Sequence, residues 1–193
     1  VHALGESHLD QIRALDKNIE LRAPLAANAE EVRKYLVDAE VLVGFPRDLE
    51  KIPLAQAPRL RWMHSFSAGM ERVLTPELKA SSIVASNSSG IHAIPIAEYV
   101  LAYTLLFAKK FYKSFQNQQK KIWRPLDGMT EIRDATLLVV GLGRIGKEIA
   151  NVTAGAGMYV IAIDKPEKEK PEFVRELYVM EQMDEVLPMA DYV

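Results

Sequence analysis

A chain of 193 residues, 49% apolar and 26% charged, has the make-up of an ordinary globular protein of one domain or two small ones. Lys and Arg number 24 against 26 Asp and Glu, so the net charge of −2 supplies no overall basic field to draw in nucleic acid or anionic lipid. The absence of cysteine excludes disulfide frameworks, thiolate metal sites, iron–sulfur clusters and cysteine nucleophiles, and a reducing, cytoplasmic setting is the expectation.

In chain order, Val1–Asp10 lacks a basic start followed by an apolar run, so no secretory signal is expected. Leu9–Leu15 is amphipathic and Ile19–Arg22 is a short strand candidate. Ala29–Asp38 places Val32, Tyr35 and Leu36 at helical spacing. Val41–Phe45 then reads as a buried strand ending in Gly44, Phe45 and Pro46. Leu60–Phe66 and Ile83–Ala85 repeat the strand pattern, with a Thr-Pro helix start at Thr75–Lys79 between them. Strands alternating with helices imply an α/β fold with a parallel sheet covered on both faces.

A long helix is expected from Ile96, apolar almost all round through Ala97, Val100, Leu101, Leu105, Phe107 and Ala108. Such a helix is buried between two bodies or two subunits, which suggests a homodimer. Ile94–Phe107 contains Glu98 and is too short to cross a bilayer, so no membrane partner is expected. The basic stretch Lys109–Arg124 reads as a solvated helix end, because no nucleic-acid motif accompanies it. Trp123, Pro125 and Gly128 mark a boundary.

The chemistry concentrates after that boundary. Ala135–Val140 is a continuous apolar strand that runs into Gly141-Leu142-Gly143-Arg144-Ile145-Gly146, and a helix follows from Lys147. Gly141 makes the tight turn, Gly143 lets a pyrophosphate approach the backbone, and Gly146 lets the helix pack against the strand. The N–H groups around Arg144 and Ile145 would face the phosphates with the helix dipole behind them. A second apolar strand, Tyr159–Ile163, ends in Asp164, eighteen residues after Gly146, where an acid accepts from the adenosine ribose hydroxyls. Asp164 also repels a 2′-phosphate, which favours NAD over NADP, although Lys165 stands beside it. A methyltransferase loop is the nearest rival, but its looser glycine pattern lacks the helix-packing glycine found here as Gly146.

The order of these segments resembles the D-isomer-specific 2-hydroxyacid dehydrogenase family. The resemblance is carried by Val41–Phe45, Ser65–Glu71, Ser88–Ala93, Ala97-Glu98, Trp123, the Gly141 loop, Asp164, and the segments Met183–Leu187 and Ala190–Val193. It implies a flavodoxin-like substrate domain over residues 1–92, a long interdomain or dimer helix over 93–124, and the first part of an NAD-binding Rossmann domain over 125–193. It further implies that amides at Ala68 and Gly69 hold the carboxylate of a small 2-hydroxy or 2-keto acid, with Phe45 facing its side chain.

Ala93 stands where many members of the family carry a threonine near the nicotinamide. His92 at a helix start is read as structural, and His2, His8 and His64 lack a ligand pattern, so no metal site is expected. The family's catalytic arginine, glutamate and histidine belong beyond the segment matching Ala190–Val193, and no apolar strand precedes Leu9–Leu15. The expectation is therefore a piece of a longer enzyme, with no catalytic residue and no turnover of its own. The runner-up is a dinucleotide-sensing interaction module resembling the dehydrogenase-like corepressors.

Overall fold

The structure is a computed structural model, and it describes residues 4–22, 29–44, 54–71 and 73–193. The chain divides into two compact units, Val1–Ser89 and Gly90–Val193.

In the first unit, α1 (Glu6–Arg13) and α2 (Ala29–Leu36) precede β1 (Val41–Val43), β2 (Trp62–Ser65), α3 (Pro76–Ala80) and β3 (Val84–Asn87). The three strands form a parallel sheet in the order β1-β2-β3, with Leu42 opposite Met63 and Met63 opposite Ala85. One face buries Met63 against Leu36 of α2, Leu78 of α3, Ala57 and Leu60. Helix α3 begins as expected: the Leu78 N–H donates to Thr75 Oγ1 at 3.2 Å, and Pro76 occupies a first-turn position where no N–H is needed.

Two expectations for this unit fail. Ile19–Arg22 forms no strand; Arg22 instead pairs with Glu20 and Asp38, and its guanidinium lies 5.5 Å from the Tyr35 ring centroid. Side-chain pairing takes the place of a ladder because no neighbouring strand is there to receive it among the described residues. The Val41–Phe45 run is a three-residue edge strand rather than a buried one, with Val41 48% and Val43 40% exposed. In a parallel register these side chains share a face with Trp62 and Val84, and the described helices cover only the opposite face. Phe45 lies outside the described residues.

The second unit runs α4 (Ala93–Ala108), α5 (Phe111–Gln119), β4 (Thr136–Val140), α6 (Arg144–Gly155), β5 (Tyr159–Ile163), β6 (Glu176–Tyr178) and α7 (Met183–Val186). The expected single helix over 93–124 is broken in two at Lys110, which adopts the left-handed conformation with φ 52°. The break is made by contacts with a later segment. Ala108 accepts from the Thr130 N–H, Lys109 pairs with Glu131 at 2.6 Å, and Lys110 Nζ donates to the Asp127 carbonyl at 2.5 Å, so the 127–131 segment caps the end of α4. Nor is α4 buried all round: Ala97, Thr104 and Ala108 are buried and α4 packs on α6, while Tyr99, Tyr103 and Phe107 are exposed.

Strands β4, β5 and β6 form a parallel sheet in that order. Leu137 also bridges Tyr192 in parallel, on the edge of β4 away from β5. The chain thus builds outward from β4 in one direction and then returns to its other edge, which places a topological switch point at the carboxyl end of β4. Burial follows from that central position. Leu137 and Val139 face Leu142, Ala150, Val160, Ala162 and Val174 on one side, whereas Leu138 meets Ile161, Ile163 and Val186 on the other. The near-continuous apolar run predicted for this strand is what a strand buried on both faces requires.

Candidate dinucleotide and substrate sites

The glycine loop lies at the switch point. Gly141 leaves β4 with φ +95° and donates its N–H to Ile163 O at 2.7 Å, the last rung between β4 and β5. Gly143 is the N-cap of α6, and a Cβ built on it meets no atom within 4 Å. Gly146 is the opposite case: a Cβ there would lie 1.9 Å from Gly141 O and 3.2 Å from Val139 Cγ1. The loop is therefore closed toward the strand and open at Gly143, a cradle into which an anion can approach the backbone. Ile145 and Gly146 lie in the first turn of α6, too early for an i−4 carbonyl within the helix, so their N–H groups add to the positive end of its dipole. The Arg144 side chain is exposed and lies alongside Gly90. This arrangement fits a dinucleotide pyrophosphate.

Asp164 follows β5 and is half-buried. Its Oδ1 accepts from the Lys165 N–H at 2.7 Å and its Oδ2 from the Leu142 N–H at 2.6 Å. The bond from Lys165, with that from Leu142 and the charges of Lys168 and Lys165, holds the Asp164 carboxyl below the usual aspartate range against its partial burial. It stays ionised, with a lone pair left on each oxygen for a further donor. The spacing puts this acid directly after β5, but it does not expose the bond to Leu142, which depends on how the two strand ends sit side by side.

In the first unit the chain turns sharply after β2. Ser67 N–H donates to Ser65 Oγ at 3.1 Å, and Asn87 Nδ2 donates to Ala68 O at 2.6 Å. The second of these ties the turn to β3, and the Ala68 and Gly69 N–H groups have no acceptor among the described residues. The Glu71 carboxylate folds back over Gly69. The Phe66 ring lies over Gly44 and packs edge-on to His64 at 6.0 Å.

His64 is the residue that sequence reasoning undervalued. Its Nδ1 is 2.9 Å from Ser86 Oγ and its Nε2 is 3.2 Å from Ser88 Oγ, while Trp62 Nε1 donates to the same Ser86 Oγ at 2.8 Å. The partners come from β3 and the residue just after it, and their separation of 22 and 24 residues leaves no local motif. His92 sits at the start of α4, exposed and making no capping bond with its side chain. Among the described residues, no three His, Asp or Glu side chains converge as metal ligands, and no helix is long and apolar enough to cross a membrane.

The loop, the acid after the neighbouring strand and the strand reversal together define a dinucleotide-binding α/β domain of the Rossmann class. Residues 101–193 match the family model for the D-isomer specific 2-hydroxyacid dehydrogenase NAD binding domain. That segment is thus similar to the NAD binding domain of the family, and the cofactor class is NAD. Among curated relatives, it is 27% identical over 187 residues to D-3-phosphoglycerate dehydrogenase of Mycobacterium tuberculosis, covering 94% of this chain and 35% of that protein. It is 24% identical over 163 residues to the glyoxylate reductase of Korarchaeum cryptofilum, covering 81% of this chain and 48% of that protein. The chain thus spans between about a third and a half of the length of these relatives.

Among solved structures, a D-isomer specific 2-hydroxyacid dehydrogenase family protein from Aeromonas salmonicida superposes with a TM-score of 0.80 at 24% identity, covering 97% of this chain and 60% of that one. The D-lactate dehydrogenase of Aquifex aeolicus, solved with NAD and lactic acid, gives a TM-score of 0.74 at 20% identity, covering 97% and 57%. At these identities the superpositions establish the fold.

Proposed function

We propose that this chain is the dinucleotide-holding part of an NAD-dependent oxidoreductase that interconverts a D-2-hydroxy acid and a 2-keto acid. The observation that carries the reading is the cradle at Gly143 with ionised Asp164 beside it. Gly141, Gly143, Arg144, Ile145 and Gly146 would receive the pyrophosphate, and Asp164 the adenosine ribose. The negative charge on Asp164 disfavours a 2′-phosphate, which supports NAD over NADP. When bound, the nicotinamide supplies hydride transfer at its C4. The N–H groups of Ala68 and Gly69, without an acceptor among the described residues, are suited to a substrate carboxylate, and Phe45 would face the substrate side chain. The first unit would then be the substrate domain and the second the cofactor domain, in a cytoplasmic enzyme acting on a small acid.

No residue of the chain occupies a catalytic role in this reading. The family's arginine, glutamate and histidine have no counterparts in the segments that carry the resemblance. The expected result is saturable NADH binding by the 193-residue protein, followed by fluorescence, with no NADH oxidation on addition of glyoxylate, pyruvate or hydroxypyruvate. Absence of NADH binding would remove the reading; robust turnover would remove its claim that the chain lacks catalytic residues.

The same reading includes a homodimer. Tyr99, Tyr103 and Phe107 recur at four-residue spacing along α4 and are 65%, 55% and 60% exposed. Phe111 and Phe115 continue the aromatic surface on α5. A two-fold related copy would cover such a stripe with the same stripe, as an isologous interface does. Phe107→Glu should convert the dimer to monomer in sedimentation velocity at micromolar concentration. A monomeric parent protein would end this part of the proposal.

A further inference from the structure

We propose that Asp164 is also the positioning residue of the glycine loop, holding it in its binding shape before any cofactor arrives. The inference rests on the reading of that loop as the dinucleotide site.

Gly141 N–H to Ile163 O is the last backbone rung joining β4 to β5. The next N–H, that of Leu142, has left the ladder and sits between two glycines, where the chain has the greatest freedom to wander. Asp164 supplies the missing acceptor: its Oδ2 receives the Leu142 N–H at 2.6 Å and so adds one side-chain rung beyond the sheet. The carboxylate is itself fixed. Oδ1 accepts from Lys165 N–H, and the Asp164 N–H donates to Tyr178 O at 3.1 Å, so β6 steadies the acid and the acid steadies the loop. Under the loop, the Leu142 side chain is fully buried among Leu137, Val139, Ala150 and Val160.

Two functions therefore converge on one carboxylate, and they separate chemically. The ribose preference needs the negative charge, whereas the bond to Leu142 needs only an oxygen at that place. Removing the acid to admit a 2′-phosphate would unbrace the loop that must hold the pyrophosphate. Asp164→Ala should consequently lose NADH affinity without gaining NADPH affinity.

The test is hydrogen exchange of the Leu142 amide in the cofactor-free protein, read by NMR. In Asp164→Ala it should exchange at least tenfold faster than in the parent. In Asp164→Asn, whose amide oxygen can still accept, it should stay within about threefold of the parent, and NADH should bind more tightly than to the Ala variant. Exchange in Asp164→Ala within twofold of the parent overturns the proposal, as does an Asn variant that exchanges as fast as Ala. A third measurement needs no variant: a through-hydrogen-bond scalar coupling between the Leu142 amide nitrogen and the Asp164 carboxylate carbon should be present in the parent, and its absence equally overturns the proposal. Failure of the parent to bind NADH would instead count against the dinucleotide reading, and the exchange data would still decide whether Asp164 braces the loop.

Discussion

Gly146→Ala should abolish useful NADH binding and destabilise the second unit. The added methyl would stand 1.9 Å from Gly141 O and 3.0 Å from Gly141 C, backbone atoms that cannot swing aside as a flexible side chain would. Either α6 moves away from β4 or the Gly141 turn opens, and both displace the cradle. Overpacking of this kind costs roughly 1–3 kcal/mol, and a misplacement near 1 Å in a positioned site is worth about 100-fold. The expected observations are a melting temperature lower by on the order of 10 °C and NADH affinity weakened about 100-fold. Gly155→Ala is the control, since a Cβ there meets nothing within 4 Å and its φ is not positive. It should leave binding unchanged and stabilise α6 by up to about 1 kcal/mol. Normal melting and normal binding in Gly146→Ala would show that the loop does not pack as described.

Leu142→Ala should be the most destabilising single change within the loop. Leu142 is fully buried and reaches into the core formed by β4, β5 and α6, although both its neighbours are exposed glycines. Truncation there leaves a cavity under the loop and should cost roughly 3 kcal/mol, measurable as a shifted denaturation midpoint with an unchanged slope. NADH affinity should fall as well, because the side chain is the loop's hold on the core. A loss under about 1 kcal/mol would mean that the loop is anchored from elsewhere.

What could be read in the chain beforehand tracks how local its cause is. The Thr75-Pro76 helix start, the doubly buried strand before Gly141 and the acid after β5 depend on neighbours within a few residues or on a fixed spacing, and each is found where expected. The break at Lys110 escaped because it is made by Asp127, Thr130 and Glu131, a segment that meets the helix end only in three dimensions. Ile19–Arg22 had the composition of a strand but no partner to pair with among the described residues. The exposure of Val41 and Val43, and the clasp of His64 by Ser86 and Ser88, depend on sheet order and cover, which no run of residues announces.

The two tryptophans fall on opposite sides of the division between the units. Trp123 is fully exposed at 101%, so its emission already resembles that of an indole in water and changes little when the protein unfolds. Trp62 is 41% exposed, sits on β2 and donates to Ser86 Oγ, so it carries the fluorescence change of the Val1–Ser89 unit. The two longest helices among the described residues, α4 and α6, belong to the Gly90–Val193 unit and weight the helical ellipticity toward it. One denaturant titration read by both signals therefore compares unfolding of the Val1–Ser89 unit with a helical signal weighted toward the Gly90–Val193 unit, and curves that fail to coincide would show the two units unfolding separately.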